Sequence, residues 1–189
     1  QKTKNDMRLI YALSLILSFS FLVESCGGPA KTDKKTELKA SIKQMEDSIM
    51  AIQKDPMQAA KMPSLTNIEL INRLLAYYHA FPKDKYAAQC LFKTHIKYSD
   101  LQAYELSVAY GDTLLQLFPK FENKDFLLES IASTYDVLIE PREEEKVRFY
   151  YEILLKEDLK PTKRKDIENR LAHIEMDFFE YSQFRMNGK

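Results

Sequence analysis

Residues 77–93 read YYHAFPKDKYAAQCLFK, and residues 114–138 read LLQLFPKFENKDFLLESIASTYDVL. Each stretch carries a Phe-Pro stop between two runs of helix-forming residues. The stops, Phe81-Pro82 and Phe118-Pro119, lie 37 residues apart. Proline removes a backbone donor and disfavours the α conformation in the residue before it, so each stop ends one helix and a second begins just beyond. The same offset relates Tyr98 to Tyr135, Leu101 to Leu138 and Leu91 to Leu128. Leu114-Leu115 returns as Leu154-Leu155, three residues late, and the turn over Glu140 to Glu145 is where the extra residues fit. A helical hairpin cannot bury its apolar face alone. Stacked on its neighbours it builds a continuous core, and a terminal helix covers the open end.

The remaining breaks divide the chain further. Leu38, Ile42, Met45, Ile49 and Ile52 follow the spacing 4, 3, 4, 3, one apolar stripe of a lead-in helix placed within 36–62. Two heptads are too few for a secure coiled coil, so the stripe is expected to pack on the rest of the domain. Asp55-Pro56 and Met62-Pro63 close this segment. Thr66-Asn67-Ile68-Glu69 and Ser99-Asp100-Leu101-Gln102 have the form of capping boxes opening two helices. Pro141 is expected at the first position of a helix that ends before Lys160-Pro161. One last helix is expected from about Lys163 to Phe184, with its stripe at Ile167, Leu171, Ile174, Phe178 and Tyr181. The expected fold class is therefore all-α: a short solenoid of helical hairpins over 64–189, right-handed if its hairpins are tetratricopeptide-like, with a helical lead-in and a C-terminal capping helix.

Composition supports this and excludes several functions. After Gly28 only Gly111 and Gly188 remain, so no GxGxxG or GxxxxGK[ST] loop can cradle a phosphate. The 28 basic and 28 acidic residues cancel, and binding to nucleic acid needs a basic excess. The start of the chain is different again. Residues 7–28 read MRLIYALSLILSFSFLVESCGG: one arginine, then an apolar run from Leu9 to Val23, then a small residue directly before a cysteine. That layout predicts a secretory signal over 7–25. It resembles a lipobox, which implies lipidation of Cys26 and a polar tether over 26–35. Cys90 then has no partner, and in the apolar run AAQCLF it is expected to act as a small buried hydrophobe.

The hairpin period, the aromatic near the end of the first helix (Tyr98, Tyr135) and the closing proline (Pro82, Pro119) resemble the tetratricopeptide repeat family. Ala132 and Ser107 match its small-residue positions, whereas His95 and Val147 are larger. With lipobox, tether and lead-in added, the chain looks like outer-membrane lipoproteins related to the assembly factor BamD. That resemblance implies a lipid-anchored periplasmic scaffold at the outer membrane, binding envelope proteins or peptides. The alternatives are a self-associating envelope coordinator that uses the lead-in helix, and an enzyme with an unrecognised site.

No chemistry stands out. His79, His95 and His173 fall on three separate helices without metal-ligand spacing, and Glu143-Glu144-Glu145 suits a helix start. No nucleophile sits in an elbow motif, so a non-enzyme without metal or cofactor is expected. In tetratricopeptide arrays the inner face comes from the first helix of each hairpin. The resemblance thus implies partner-binding residues Gln89, Phe92, Ile96 and Ser99 in one unit, and Phe126, Glu129, Ser133 and Asp136 in the next. Phe178-Phe179, with Tyr181 and Phe184, is a second aromatic patch.

Overall fold

The computed structural model describes residues 33–188. The signal segment, Cys26 and the tether up to residue 32 lie outside the described residues. Nine helices and no strand occur among the described residues. They are α1 (Lys34–Gln53), α2 (Pro56–Ala59), α3 (Ser64–Ala80), α4 (Lys85–Asp100), α5 (Tyr104–Leu117), α6 (Lys124–Val137), α7 (Glu144–Leu154), α8 (Pro161–Ala172) and α9 (Phe178–Asn187). From α3 to α8 each helix packs on the next.

The two Phe-Pro stops do the same local job. Phe81 caps α3 at φ −138°, ψ 60°, and Phe118 caps α5 at φ −131°, ψ 66°. The offset carries into the packing as well. Leu91 and Leu128 are both fully buried, as are Leu114 and Leu154. Tyr98 stacks on Tyr110 at 5.4 Å between ring centroids, and Tyr135 stacks on Tyr150 at 5.7 Å. The second partner comes three residues late in each case, because the turn between α6 and α7 is longer.

Two clusters fill the interior. Leu38, Ile42, Met45 and Ile49 of α1 pack on Leu70, Leu74, Tyr77, Ala87 and Cys90. Ile42 and Ile49 are 0% and 5% exposed and Leu38 and Met45 are half-buried, so the stripe from Leu38 to Ile49 packs within the chain itself. Each such side chain contributes roughly 1.5–3 kcal/mol on burial. The larger cluster runs from Ala88 and Leu91 through α5, α6 and α7 to Ile167 and Ile174. Tyr78 and Phe118 touch both clusters and join them.

Four local expectations need correction. Helix α3 starts at Ser64 without a side-chain cap; Thr66 lies inside it, and Glu69 pairs with Arg73 at 2.7 Å instead of reaching back. Ser99 to Gln102 is the end of α4, not the start of α5. Gln102 takes the left-handed conformation (φ 58°), and Gln102 N–H and Ala103 N–H donate to the carbonyls of Ser99 and Tyr98, a Schellman closure. Pro141 precedes α7 by three residues, because Arg142 leaves the helical path to bind Asp136 and the Ile174 carbonyl. The expected last helix is two helices, α8 and α9. Asp177 and Glu180 form a capping box that starts α9.

Candidate functional site

Helices α1, α4, α6 and α8 are joined side by side through side chains. Glu46 on α1 pairs with Lys93 on α4 at 2.5 Å. Phe92 on α4 meets Phe126 on α6 edge-on at 5.9 Å. Glu129 and Asp125 on α6 receive Lys163 of α8 at 2.7 and 3.7 Å. These contacts make one continuous face. Its character changes along its length: apolar where α1 meets α4, charged where α6 meets α8.

At the apolar end lies a cleft of about 300 Å³, lined by Ile49 and Met50 of α1, Leu70 of α3, and Phe92 and Ile96 of α4. Met50 is half exposed at its mouth. Lys93 and Lys97 stand beside it one helical turn apart, held by Glu46 and Asp100. Clefts of this size with apolar walls and a few polar rim groups suit a side chain or short segment of a partner. At the charged end, a second cleft of about 320 Å³ is bordered by Glu129, Tyr151, Lys163, Asp166, Tyr181 and Arg185.

The expected binding residues fare differently. Phe92 and Ile96 line the apolar cleft, Phe126 is half exposed beside Phe92, and Gln89 faces a separate pocket near Phe118. Ser99 sits in the turn that closes α4, where its carbonyl accepts from Gln102. Glu129 is engaged by Lys163, and Ser133 is half-buried. Asp136, expected on the groove, is 4% exposed. Its Oδ1 accepts from Arg142 Nε at 2.8 Å, and Arg170 grips both its oxygens at 2.7 Å. Arg170 also donates to the carbonyls of His173 and Met176. Asp136 is therefore the anchor of the α8–α9 turn. The sequence reading missed Met50 and Leu70 as cleft residues; the stripe that placed Ile49 inward also puts Met50 next to it. In the second aromatic patch Tyr181 is buried, whereas Phe178, Phe179 and Phe184 remain 46%, 71% and 48% exposed.

The titratable groups of the interior serve packing. His95 is fully buried. Its Nδ1 lies 2.8 Å from the Ser107 carbonyl, which can only accept, so Nδ1 carries the proton and Nε2 accepts from Ser130 Oγ at 2.9 Å. Burial pushes its pKa down. Burial pushes the Cys90 thiol up to about 12, which leaves it inert as a nucleophile. Asp84 caps α4; its hydrogen bond from Lys35 holds its carboxyl at about 2, helped by the Tyr86 amide and the Tyr77 hydroxyl. Among the described residues no group of three His, Cys, Asp or Glu side chains is placed to hold a metal ion. No described helix is long and apolar enough to cross a membrane.

No family model matches the chain, and no curated protein or solved structure is significantly similar to it.

Proposed function

We propose that this chain is a binding scaffold of the cell envelope, tethered to a membrane through Cys26 and engaging another envelope protein along the α1–α4–α6–α8 face. The observation that carries the reading is the apolar cleft of Ile49, Met50, Leu70, Phe92 and Ile96 on that face. The recurrence of stops, core positions and stacked tyrosines at one offset supports a short right-handed solenoid of tetratricopeptide-like hairpins. In such an array the first helix of each hairpin lines the binding face. The lipobox-like LVESC at 22–26 supports the tether. Anchoring would act by concentration: a lipidated domain meets membrane-bound partners at a far higher local concentration than a free one. A role in outer-membrane protein assembly rests on resemblance to the BamD-related lipoproteins.

The test places a photocrosslinking residue at Met50, which lies half exposed at the cleft mouth. The tagged protein is recovered from irradiated cells with Ile96→Glu and Cys26→Ala versions alongside. Capture of a defined envelope protein that Ile96→Glu abolishes and Cys26→Ala reduces supports the proposal. Capture of only the chain itself, or of the same partners in all three versions, refutes it.

A further inference from the structure

A third pocket, of about 350 Å³, opens between the start of α4 and the turn that joins α5 to α6. Its walls are Ala88, Phe118 and Phe121, and its rim carries Lys85, Lys120 and Glu122. Phe121 reaches Phe92 at 5.3 Å, so the pocket adjoins the binding face through one aromatic ring. Lys85 and Lys120 are exposed, and neither makes an ion pair among the described residues.

The internal repeat shows what this turn lacks. The 37-residue offset sets Phe81 against Phe118, Lys83 against Lys120 and Asp84 against Phe121. At the first turn the acid Asp84 receives Lys35 from α1, and the same ammonium stands 6.0 Å from the Phe81 ring. That turn is closed by a helix that brings the opposite charge. At the second turn phenylalanine replaces the acid, the pocket lining comes only from α4 and the α5–α6 turn, and the rim cations outnumber the single carboxylate. The complement to this turn is apolar at its centre and acidic around it.

We propose that the Phe118–Phe121 pocket takes an aromatic side chain from an acidic segment of the partner protein. The inference deepens the proposed function by naming the partner's chemistry, and it rests on that reading. A phenylalanine ring fits the volume, and aromatic anchors in desolvated pockets dominate the energetics of many interfaces. The flanking acids would meet Lys85 and Lys120, which set orientation and encounter rate more than affinity.

The probe is a blocked peptide, acetyl-Glu-Glu-Phe-Glu-Glu-amide, titrated calorimetrically into the full chain. Its blocked ends remove any terminal carboxylate. Saturable binding is expected, weakened at least tenfold when the peptide phenylalanine becomes alanine. Lys85→Glu with Lys120→Glu should also weaken it at least tenfold. Both lysines are exposed, so the doubly substituted chain should keep its helical circular dichroism. That chain should in turn prefer acetyl-Lys-Lys-Phe-Lys-Lys-amide to the acidic peptide. Equal binding of acidic and basic peptides, indifference to the lysine reversal, or binding of free phenylacetate while the peptide fails, would each overturn the proposal. Crosslinking through Met50 reads the apolar cleft separately, so a partner captured there while the peptide fails refutes this inference and leaves the broader reading standing.

Discussion

Gly111 tests the packing of α4, α5 and α6 most directly. It is buried in α5, and a Cβ added there would lie 2.8 Å from Ile131 Cδ1, 3.1 Å from Ile131 Cγ1 and 3.3 Å from His95 Nδ1. Ile131 and His95 are both fully buried, so neither can swing into solvent. Gly111→Ala gains about 1 kcal/mol of helix propensity. Against this stands overpacking of a tight core, which costs about 1–3 kcal/mol. The net expectation is a loss of about 1 kcal/mol. Ile131→Val removes the atom at 2.8 Å and alone costs about 0.5–1.5 kcal/mol through lost contacts. In that background Gly111→Ala should become neutral or stabilising, because only the 3.1 and 3.3 Å contacts remain and each can give by a few tenths of an ångström. The double substitution should therefore be less damaging than the sum of the singles by at least about 1 kcal/mol. Urea unfolding followed at 222 nm measures all four proteins, with the midpoint shifting and the slope unchanged. If Gly111→Ala stabilises the parent chain by about 1 kcal/mol and the cycle shows no coupling, α5 does not approach Ile131 this closely and the packing argument fails.

Burial lowers the His95 pKa, so below its ordinary value of 6.5 the unfolded chain binds a proton that the folded chain does not. Stability should thus fall with falling pH by up to about 1.4 kcal/mol per unit until the depressed value is reached, and His95→Asn should flatten that limb of the urea-midpoint profile. Arg170→Met leaves the buried Asp136 carboxylate with Arg142 alone and frees two carbonyls; a loss of about 3–5 kcal/mol is expected in thermal or urea unfolding, and a loss below about 1 kcal/mol would contradict the anchoring role. Gln102→Gly should stabilise by about 0.5–1 kcal/mol, since glycine relieves the left-handed backbone at φ 58° and gives back part of the gain as unfolded-chain entropy.

What the sequence displayed well was punctuation and stripe. Phe-Pro ends a helix for local reasons, and a 4, 3, 4, 3 apolar stripe needs only one face of one helix. Both signals are complete within a few residues, and the ends of α3 and α5 and the inward face of α1 were legible from them. The misread features depend on distant partners. Ser99-Asp100-Leu101-Gln102 satisfies the pattern of a helix start, yet the chain uses it as a helix end, because Gln102 accepts a left-handed backbone that glycine would signal more plainly. The stripe Ile167, Leu171, Ile174, Tyr181 hides a break, because Arg170 draws in the carbonyls of His173 and Met176 and stabilises a turn no apolar pattern reports. Asp177-Phe178-Phe179-Glu180 did carry a readable capping signature for that break. Asp136 looked like a groove residue because its partner, Arg170, lies 34 residues away. On the candidate face, Phe92, Ile96 and Phe126 came from the tetratricopeptide resemblance, whereas the wall supplied by Met50 and Leu70 required knowing where α1 docks.

The recurring unit keeps volume rather than identity. His95 and Ala132 occupy one equivalent position; Gly111 and Tyr151 occupy the next, three residues late as before. All four are buried. The first unit pairs a large ring on α4 with no side chain on α5, while the second pairs a methyl group on α6 with a large ring on α7. Ser107 and Val147 follow the same rule: Ser107 bonds the His95 carbonyl and accommodates the polar ring, and Val147 faces a unit that has no polar ring at this position. A core at crystal-like density tolerates such exchanges when total volume is held. Residue-by-residue comparison of the two units therefore finds little in common beyond Leu91/Leu128, Leu101/Leu138, the pair Leu114-Leu115/Leu154-Leu155 and the stacked tyrosines. His95 is where the volume exchange between the units is open to a direct check. Replacing it by alanine alone opens a cavity beside Gly111, whereas His95→Ala with Gly111→Ala moves the first unit toward the arrangement of the second. The paired change should recover part of the loss, and failure to recover any would mean that the two units are packed by different rules.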